Sequence, residues 1–346
     1  MKKFKLTIAG LMLAMLLGGY STATAQNVQK FDLNGDGAVD VADMSALIGY
    51  MAGARQQGAQ FFFRKQTDAT KLGESAGKAV DLGLPSGRQW ADKNLGYSKD
   101  SDFGAYFAWG GRTWVAAKGT NVDKGYVLEA GTMLEDKKTA FTWSNYEWSE
   151  GSTWKDVNKY TVKDGTEDAW WYSYGTYGNS TFRGDEKDVL DAEDDAASFH
   201  WGGKWRMPYA YEFQELLDYT DQYWDTDKKE LLSGKSAKEA KGVFGCWFRG
   251  KNPGRDGLDW SKYEIFLPAA GDIEYQYVEY RIGQYMFPRG KYWSKEHEGH
   301  FGHQPTSMAA ILSINRKHCC ENEADNYISF YERQYGLSIR PVLGDE

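Results

Sequence analysis

Cysteine is scarce. Cys246, Cys319 and Cys320 are the only three in 346 residues, too few for a disulfide framework, so stability has to come from a packed core. Beyond the first twenty or so residues, no stretch approaches the roughly 18 consecutive apolar residues of a membrane span, so no membrane insertion is expected. Positive charge is also in deficit, with 41 Lys and Arg against 49 Asp and Glu. That balance repels phosphate backbones and anionic lipid, and it excludes nucleic acid as an expected partner. There is no GxSxG elbow, no HExxH and no phosphate loop.

What the chain does have is rings. Aromatics make up 16% of it, including 14 Trp and 23 Tyr, in a chain of mean hydropathy −0.65. Many rings in a polar chain point to a loop-rich extracellular domain with aromatic surface contacts. Lys2, Lys3 and Lys5 precede the apolar run Leu6 to Leu17, and Ala23, Thr24 and Ala25 supply small residues before Gln26. This reads as a cleavable secretory signal over residues 1–25, leaving a secreted chain that is extracellular, surface-associated or periplasmic. Loss of those three lysines takes the net charge from −8 to −11.

Residues 26–55 hold FDLNGDGAVDVADMSALIGYMAG. Asp32, Asn34, Asp36, Asp40 and Asp43 fall at positions 1, 3, 5, 9 and 12 of a calcium loop, Gly37 takes the turn at position 6, and Ala38 offers its carbonyl at position 7. A hard cation needs oxygen donors at this spacing, so Ca2+ is the expected cofactor. Met44, Leu47, Ile48 and Met51 line one face of a following helix. The stretch resembles one repeat of a type I dockerin, whose twelfth position is usually Asp, and the resemblance implies a cohesin-like partner. A complete dockerin has two repeats, and nothing between Ala54 and Gly77 supplies the second.

Residues 56–77 read as a linker, and a large domain follows over 78–346. Val80, Leu82 and Leu84 alternate, Pro85 to Gly87 turn, and Gln89 to Ala91 return, which is a hairpin signature. Residues 103–109 read as a strand, and about 110–196 as a long insertion rich in aromatic and acidic residues. Trp201 to Pro208, WGGKWRMP, reads as strand or tight turn with the two glycines allowing close backbone approach; Tyr209, Phe213, Leu216 and Leu217 then recur at helical spacing. Short strands are expected at Phe244 to Phe248 and Glu264 to Leu267. Ile328 and Phe330, with Leu337 and Ile339, read as a closing pair of strands.

Taken together, VDLGLPSGRQWA, FGAYFAWG, FHWGGKWRMPYAYEFQELL, IFLPAAG, KYWSKE and YGLSIRPV resemble, in order, the secreted Bacteroidetes proteins that carry a C-type lectin-like domain of the Fibrobacter major paralogous type. The resemblance spans roughly Lys78 to Leu343. It implies an α+β, C-type lectin-like fold, related to that of the formylglycine-generating enzyme, behind a small EF-hand-like loop-helix unit. Tyr209 stands where a Thr usually follows RMP, so the helix loses a hydroxyl cap typically worth ~1 kcal/mol.

His297, His300, His303 and His318 crowd with Cys319 and Cys320 into the C-terminal part. Three readings stand: exposed loop residues without chemistry, a zinc or copper site, or ligand contacts. The last follows from the resemblance, since in retroelement-diversified relatives the ligand-facing residues lie here. It implies Lys295, His297, His300, His303, Asn315, His318 and Asn326 as contacts for a glycan or surface protein. Adjacent Cys319 and Cys320 would make a strained ring, and Cys246 is isolated, which argues against the oxidase chemistry of the enzyme relatives. Glycoside hydrolysis would need two carboxylates about 5 to 9 Å apart, and Glu193, Asp194 and Asp195 read instead as a solvated charge run. Non-catalytic ligand binding is therefore the expectation; a structural component tethered by the dockerin-like unit and a part of a polysaccharide-degrading system are the alternatives.

Overall fold

The computed structural model describes residues 69–97, 103–118, 127–130, 141–161, 185, 187–224, 245–251, 262–274, 289–297, 307–315 and 326–344. The chain divides into units Met1–Phe61 and Phe62–Glu346, and every described residue lies in the second. The signal, the calcium loop with Asp32, Asn34, Asp36, Ala38, Asp40 and Asp43, and His300, His303 and His318 lie outside the described residues.

The second unit is mixed α+β, built mostly from small antiparallel sheets. The expected hairpin is present as β1 (Ala79–Asp81) and β2 (Gln89–Ala91), with Val80 opposite Trp90. Next come β3 (Ala105–Tyr106), β4 (Val115–Lys118) and β5 (Val127–Ala130), which form one sheet. Helix α1 (Ala196–Trp201), strand β6 (Trp205–Arg206) and helix α2 (Ala210–Asp218) follow. A second sheet joins β7 (Thr220–Trp224), β8 (Gly245–Gly250) and β9 (Glu264–Pro268), and a third joins β10 (Arg289–His297), β11 (Met308–Asn315) and β12 (Tyr327–Glu332). Finally β13 (Val342–Leu343) enters between β2 and β6, completing the order β1-β2-β13-β6.

Three expectations are corrected. Asp194 and Asp195 are buried, and only Glu193 of that run is exposed. Asp195 accepts hydrogen bonds from Ser198 N (3.0 Å) and Met207 N (2.8 Å), capping α1 and fixing the chain beyond it. Gly202 and Gly203 serve positive φ (66° and 64°) in the turn that ends α1 rather than close backbone approach: a Cβ would meet nothing nearer than Ser198 O at 3.9 Å at Gly202 and nothing within 4 Å at Gly203. The closing strands also do not pair with each other. Tyr327–Glu332 pairs with β11, while Leu337 bridges to Phe107 and Ser338 to Tyr292.

The β10-β11-β12 sheet separates two cores, because alternate residues point to opposite faces. Tyr292, Leu312 and Ile314 join Trp90, Phe213, Leu216 and Val342 on the side where α2 packs. Trp293, Ala309 and Ile311 join Trp109, Trp148 and Tyr160 on the other. The N-cap of helix α2, Tyr209, makes no side-chain cap hydrogen bond. Its orphan donors are met by carboxylates: Glu212 reaches back to Tyr209 N (2.8 Å), and Glu296 of β10 accepts from Ala210 N.

The C-terminal segment threads the middle. Arg340 is 1% exposed; its fork donates to Asn94 Oδ1 (2.8 Å), Ala91 O (3.0 Å) and Phe266 O (2.7 Å), joining the first hairpin to β9. An ammonium cannot reach these divergent acceptors together. Arg340→Lys is expected to lower unfolding free energy by about 3 kcal/mol, because buried carbonyls lose their donors; urea denaturation with far-UV circular dichroism reads it.

Candidate functional site

Three buried carboxylates share one construction, in which a cation and a tyrosine hydroxyl converge on the acid. Glu264 takes Arg249 (3.2 Å) and Tyr223 OH (2.7 Å). Asp194 takes Lys159 (2.7 Å) and Tyr160 OH (2.5 Å). Asp272 takes Lys291 Nζ and Tyr331 OH (2.8 Å). Burying an anion costs several kcal/mol unless it is paired and hydrogen-bonded, so all three are explained structurally first. The Glu264 set is closed; the members of the Asp194 set are also buried, although Lys159 pairs as well with half-buried Asp191 and exposed Glu193. The third opens to solvent, since Tyr331, Glu274 and Arg289 around it are half-buried.

Alternation along the third sheet makes this opening. Arg289 and Lys291 lie on the same face of β10 as Trp293, opposite Asn315, Ser313 and Ile311 of β11, and Tyr327, Ser329 and Tyr331 of β12 continue that face. Trp293 and Ile311 fill the core; the remainder is polar or phenolic. Tyr327 at its edge is 46% exposed. Lys291 Nζ sits 3.3 Å from the Tyr331 ring centroid, and Arg289 Nη2 lies 3.7 Å from Asp272 Oδ1. The single Tyr331 hydroxyl proton is shared between Asp272 and Glu274.

Backbone geometry delivers Asp272 to the sheet. Gly271 adopts φ 69° and donates to Arg289 O (2.8 Å), and Ile273 exchanges hydrogen bonds with Gly336. Gly290 lets this turn lie against β10, because a Cβ there would come 2.8 Å from Pro268 O. Burial lowers the Lys291 pKa to about 8, with Asp272 acting against the fall. Burial, then the Asp272 charge, raises that of the Tyr331 phenol.

The sequence-derived ligand set divides. Lys295 and His297 are 1% and 4% exposed, so they are interior rather than ligand-facing. Lys295 lies 5.0 Å from the Tyr209 ring centroid, and His297 packs edge-on to Trp109 at 6.1 Å, its pKa held well below the usual imidazole value by burial and then by Arg333. The cause is tertiary: beyond a register shift after Trp293, Lys295 N donates to Pro208 O, Lys295 O accepts from Leu190 N and His297 N donates to Asp188 O, so other segments cover this end of β10. Asn315 and Asn326 are half-buried at the ends of β11 and β12; Asn326 Oδ1 accepts from Asn315 N (3.1 Å) and its amide donates to Gln222 (3.0 Å). They pin the edge of the polar face. Asp272, Glu274, Arg289, Lys291 and Tyr331 were not singled out from sequence; the available signals were Lys291 alternating with Trp293 in KYWSKE and, well upstream of it, Asp272 immediately after the IFLPAAG turn.

Asp191, Glu193 and Asp194 bring carboxylate oxygens within 4.8 Å of one another, so this cluster could hold a metal ion of a kind the geometry does not specify. Lys159 already supplies a cation there, at 3.3, 3.7 and 2.7 Å from the three, and lies over the Trp148 and Tyr160 rings. Tyr160 has φ 56°, the one non-glycine residue with positive φ among the described residues; Arg333 holds its carbonyl and that of Lys159 (2.9 and 3.0 Å). Cys246 is buried, with its thiol pushed up to about 12, and is no nucleophile. No helix among the described residues is long and apolar enough to cross a membrane. Compared with protein-family models, with curated proteins and with solved structures, the chain matches none.

Because the folded Lys291 ammonium titrates near 8 and an unfolded one near 10.4, the unfolded state binds more protons between those values. Stability contributed at this site therefore rises as pH climbs from about 8 to about 10.4. NMR of lysine Nζ should show one amine with a midpoint near 8, and Asp272→Asn should lower it further by removing the attraction that opposes desolvation.

Proposed function

We propose that residues 78–346 form a C-type lectin-like, non-catalytic domain of a secreted protein, and that it binds a glycan or a surface protein on the polar face of the β10-β11-β12 sheet. The observation that carries this reading is the open Asp272–Lys291–Tyr331 triad with Arg289, Glu274 and Tyr327 around it. It combines acceptors, charged donors and phenols on a rigid sheet, which is what recognition of a hydroxyl-rich or polar ligand requires. Asn315 and Asn326 stay in the reading as supports of the rim.

An Arg289→Ala, Tyr327→Ala double variant leaves the triad in place and should weaken capture of the ligand about tenfold or more. The comparison is a pull-down of surface glycans and proteins with the chain from Gln26, alongside a glycan array. Unchanged capture by the variant would move the site elsewhere, and no capture by the parent chain would favour a structural component of a surface assembly.

The calcium reading of residues 32–43 rests on five oxygen-bearing side chains in register. Addition of a chelator is expected to speed amide exchange over residues 32–52 while leaving exchange in the β10-β11-β12 sheet unchanged. Equal exchange with and without calcium would remove Ca2+ from the proposal, and with it the cohesin-like partner.

A further inference from the structure

At the N-terminus of α2 two rings lie almost parallel. Tyr209 and Tyr211 stack with centroids 5.2 Å apart and planes inclined by 18°. Tyr211 is 58% exposed, the most exposed large aromatic among the described residues. A solitary exposed ring would need no explanation, but this one is built into a support. Arg206 and Lys295, both buried, lie 4.9 and 5.0 Å from the Tyr209 centroid. Arg206 is itself fixed by a two-pronged pair with Glu212 at 2.8 Å on each oxygen, and Arg88 adds a third contact to that carboxylate at 2.5 Å.

Tyr209 occupies a helix N-cap, where Ser, Thr, Asp and Asn are favoured because their side chains satisfy backbone donors. It provides no such bond. Glu212 and Glu296 do that work instead, so the ring at this position serves the stack rather than the helix end. Helix formation then sets Tyr211, and the outcome is a flat apolar surface held before any ligand arrives. Preorganisation of that kind removes ordering cost from binding.

We propose that the Tyr209–Tyr211 stack is a carbohydrate subsite, separate from the sheet face, on which Tyr211 takes the C–H face of an uncharged pyranose ring. A stacked tyrosine offers a broad apolar plane with a hydroxyl at its edge, which matches a sugar's apolar face and peripheral hydroxyls. The half-buried Glu296 carboxylate beside the stack adds an acceptor. Arg206 and Arg88 are engaged with Glu212 and Lys295 is buried beneath Tyr209, which favours an uncharged over an anionic sugar.

The test titrates cellohexaose, maltohexaose and xylohexaose into the chain from Gln26, labelled at tyrosine, with NMR as the readout. At least one oligosaccharide should shift the Tyr211 ring signals. Tyr211→Ala should weaken binding about fivefold to tenfold, as loss of a stacked ring implies, whereas Tyr211→Phe, which keeps the ring, should stay within about twofold. The Arg289→Ala, Tyr327→Ala variant should retain the shift, so the subsite succeeds or fails independently of the sheet-face reading. Binding unaffected by Tyr211→Ala, equal loss in Tyr211→Phe, no shift with any of the three sugars, or a change of oligomeric state as the sole effect of Tyr211→Ala would each overturn the proposal.

Discussion

The fold depends on one passage of chain, residues 333–343, being paired on nearly every side. Leu337 exchanges hydrogen bonds with Phe107, Gly336 with Ile273, Ser338 N reaches Lys291 O, and Ile339 O and Pro341 O accept from Leu95 and Ala91. Val342 then pairs with both Trp90 and Arg206. Segments far apart in sequence are thus held through a common neighbour. The two buried guanidiniums of this passage extend the same role to loops: Arg340 fastens the first hairpin to β9, and Arg333 holds the carbonyls of Lys159 and Tyr160. A planar donor fork suits both tasks, because backbone carbonyls at divergent angles can be met without a second side chain.

Tyrosine does more than fill space in this chain. At Glu264, Asp194 and Asp272 a phenol provides one hydrogen bond and a cation supplies the charge, so an acidic protein can keep carboxylates inside its core. The repetition has interpretive value. A charge cluster that recurs with its central carboxylate buried is primarily a packing device, and what distinguishes the Asp272 triad is its position at the polar end of a sheet face. Placement on a sheet face, not composition, separates the candidate site from its two counterparts.

Much of the skeleton was legible because it rests on local rules. Val80 and Trp90 face each other across a Pro-Ser-Gly turn, and Phe213 and Leu216 mark the buried face of α2. The acidic run 193–195 was misread because nothing local shows that Asp195 finds two backbone donors or that Lys159, 35 residues earlier than Asp194, supplies a counter-ion. Lys295 and His297 failed for a related reason: burial of polar groups is decided by partners brought in by topology. The triad at Asp272 joins three separate strands or turns, so its members carry no shared sequence signal. The Glu296 cap on α2 is likewise contributed by a strand that lies 86 residues downstream.

The position of β13 between β2 and β6 has a kinetic side. Residues near 90, 205 and 342 must meet before the first sheet is complete, and closing such long loops costs entropy well before pairing returns it. Until then β2 presents an unpaired edge, the kind of surface on which chains join one another. The domain is therefore expected to fold slowly and through an aggregation-exposed interval, and its yield on refolding should fall with protein concentration more steeply than its equilibrium stability would suggest.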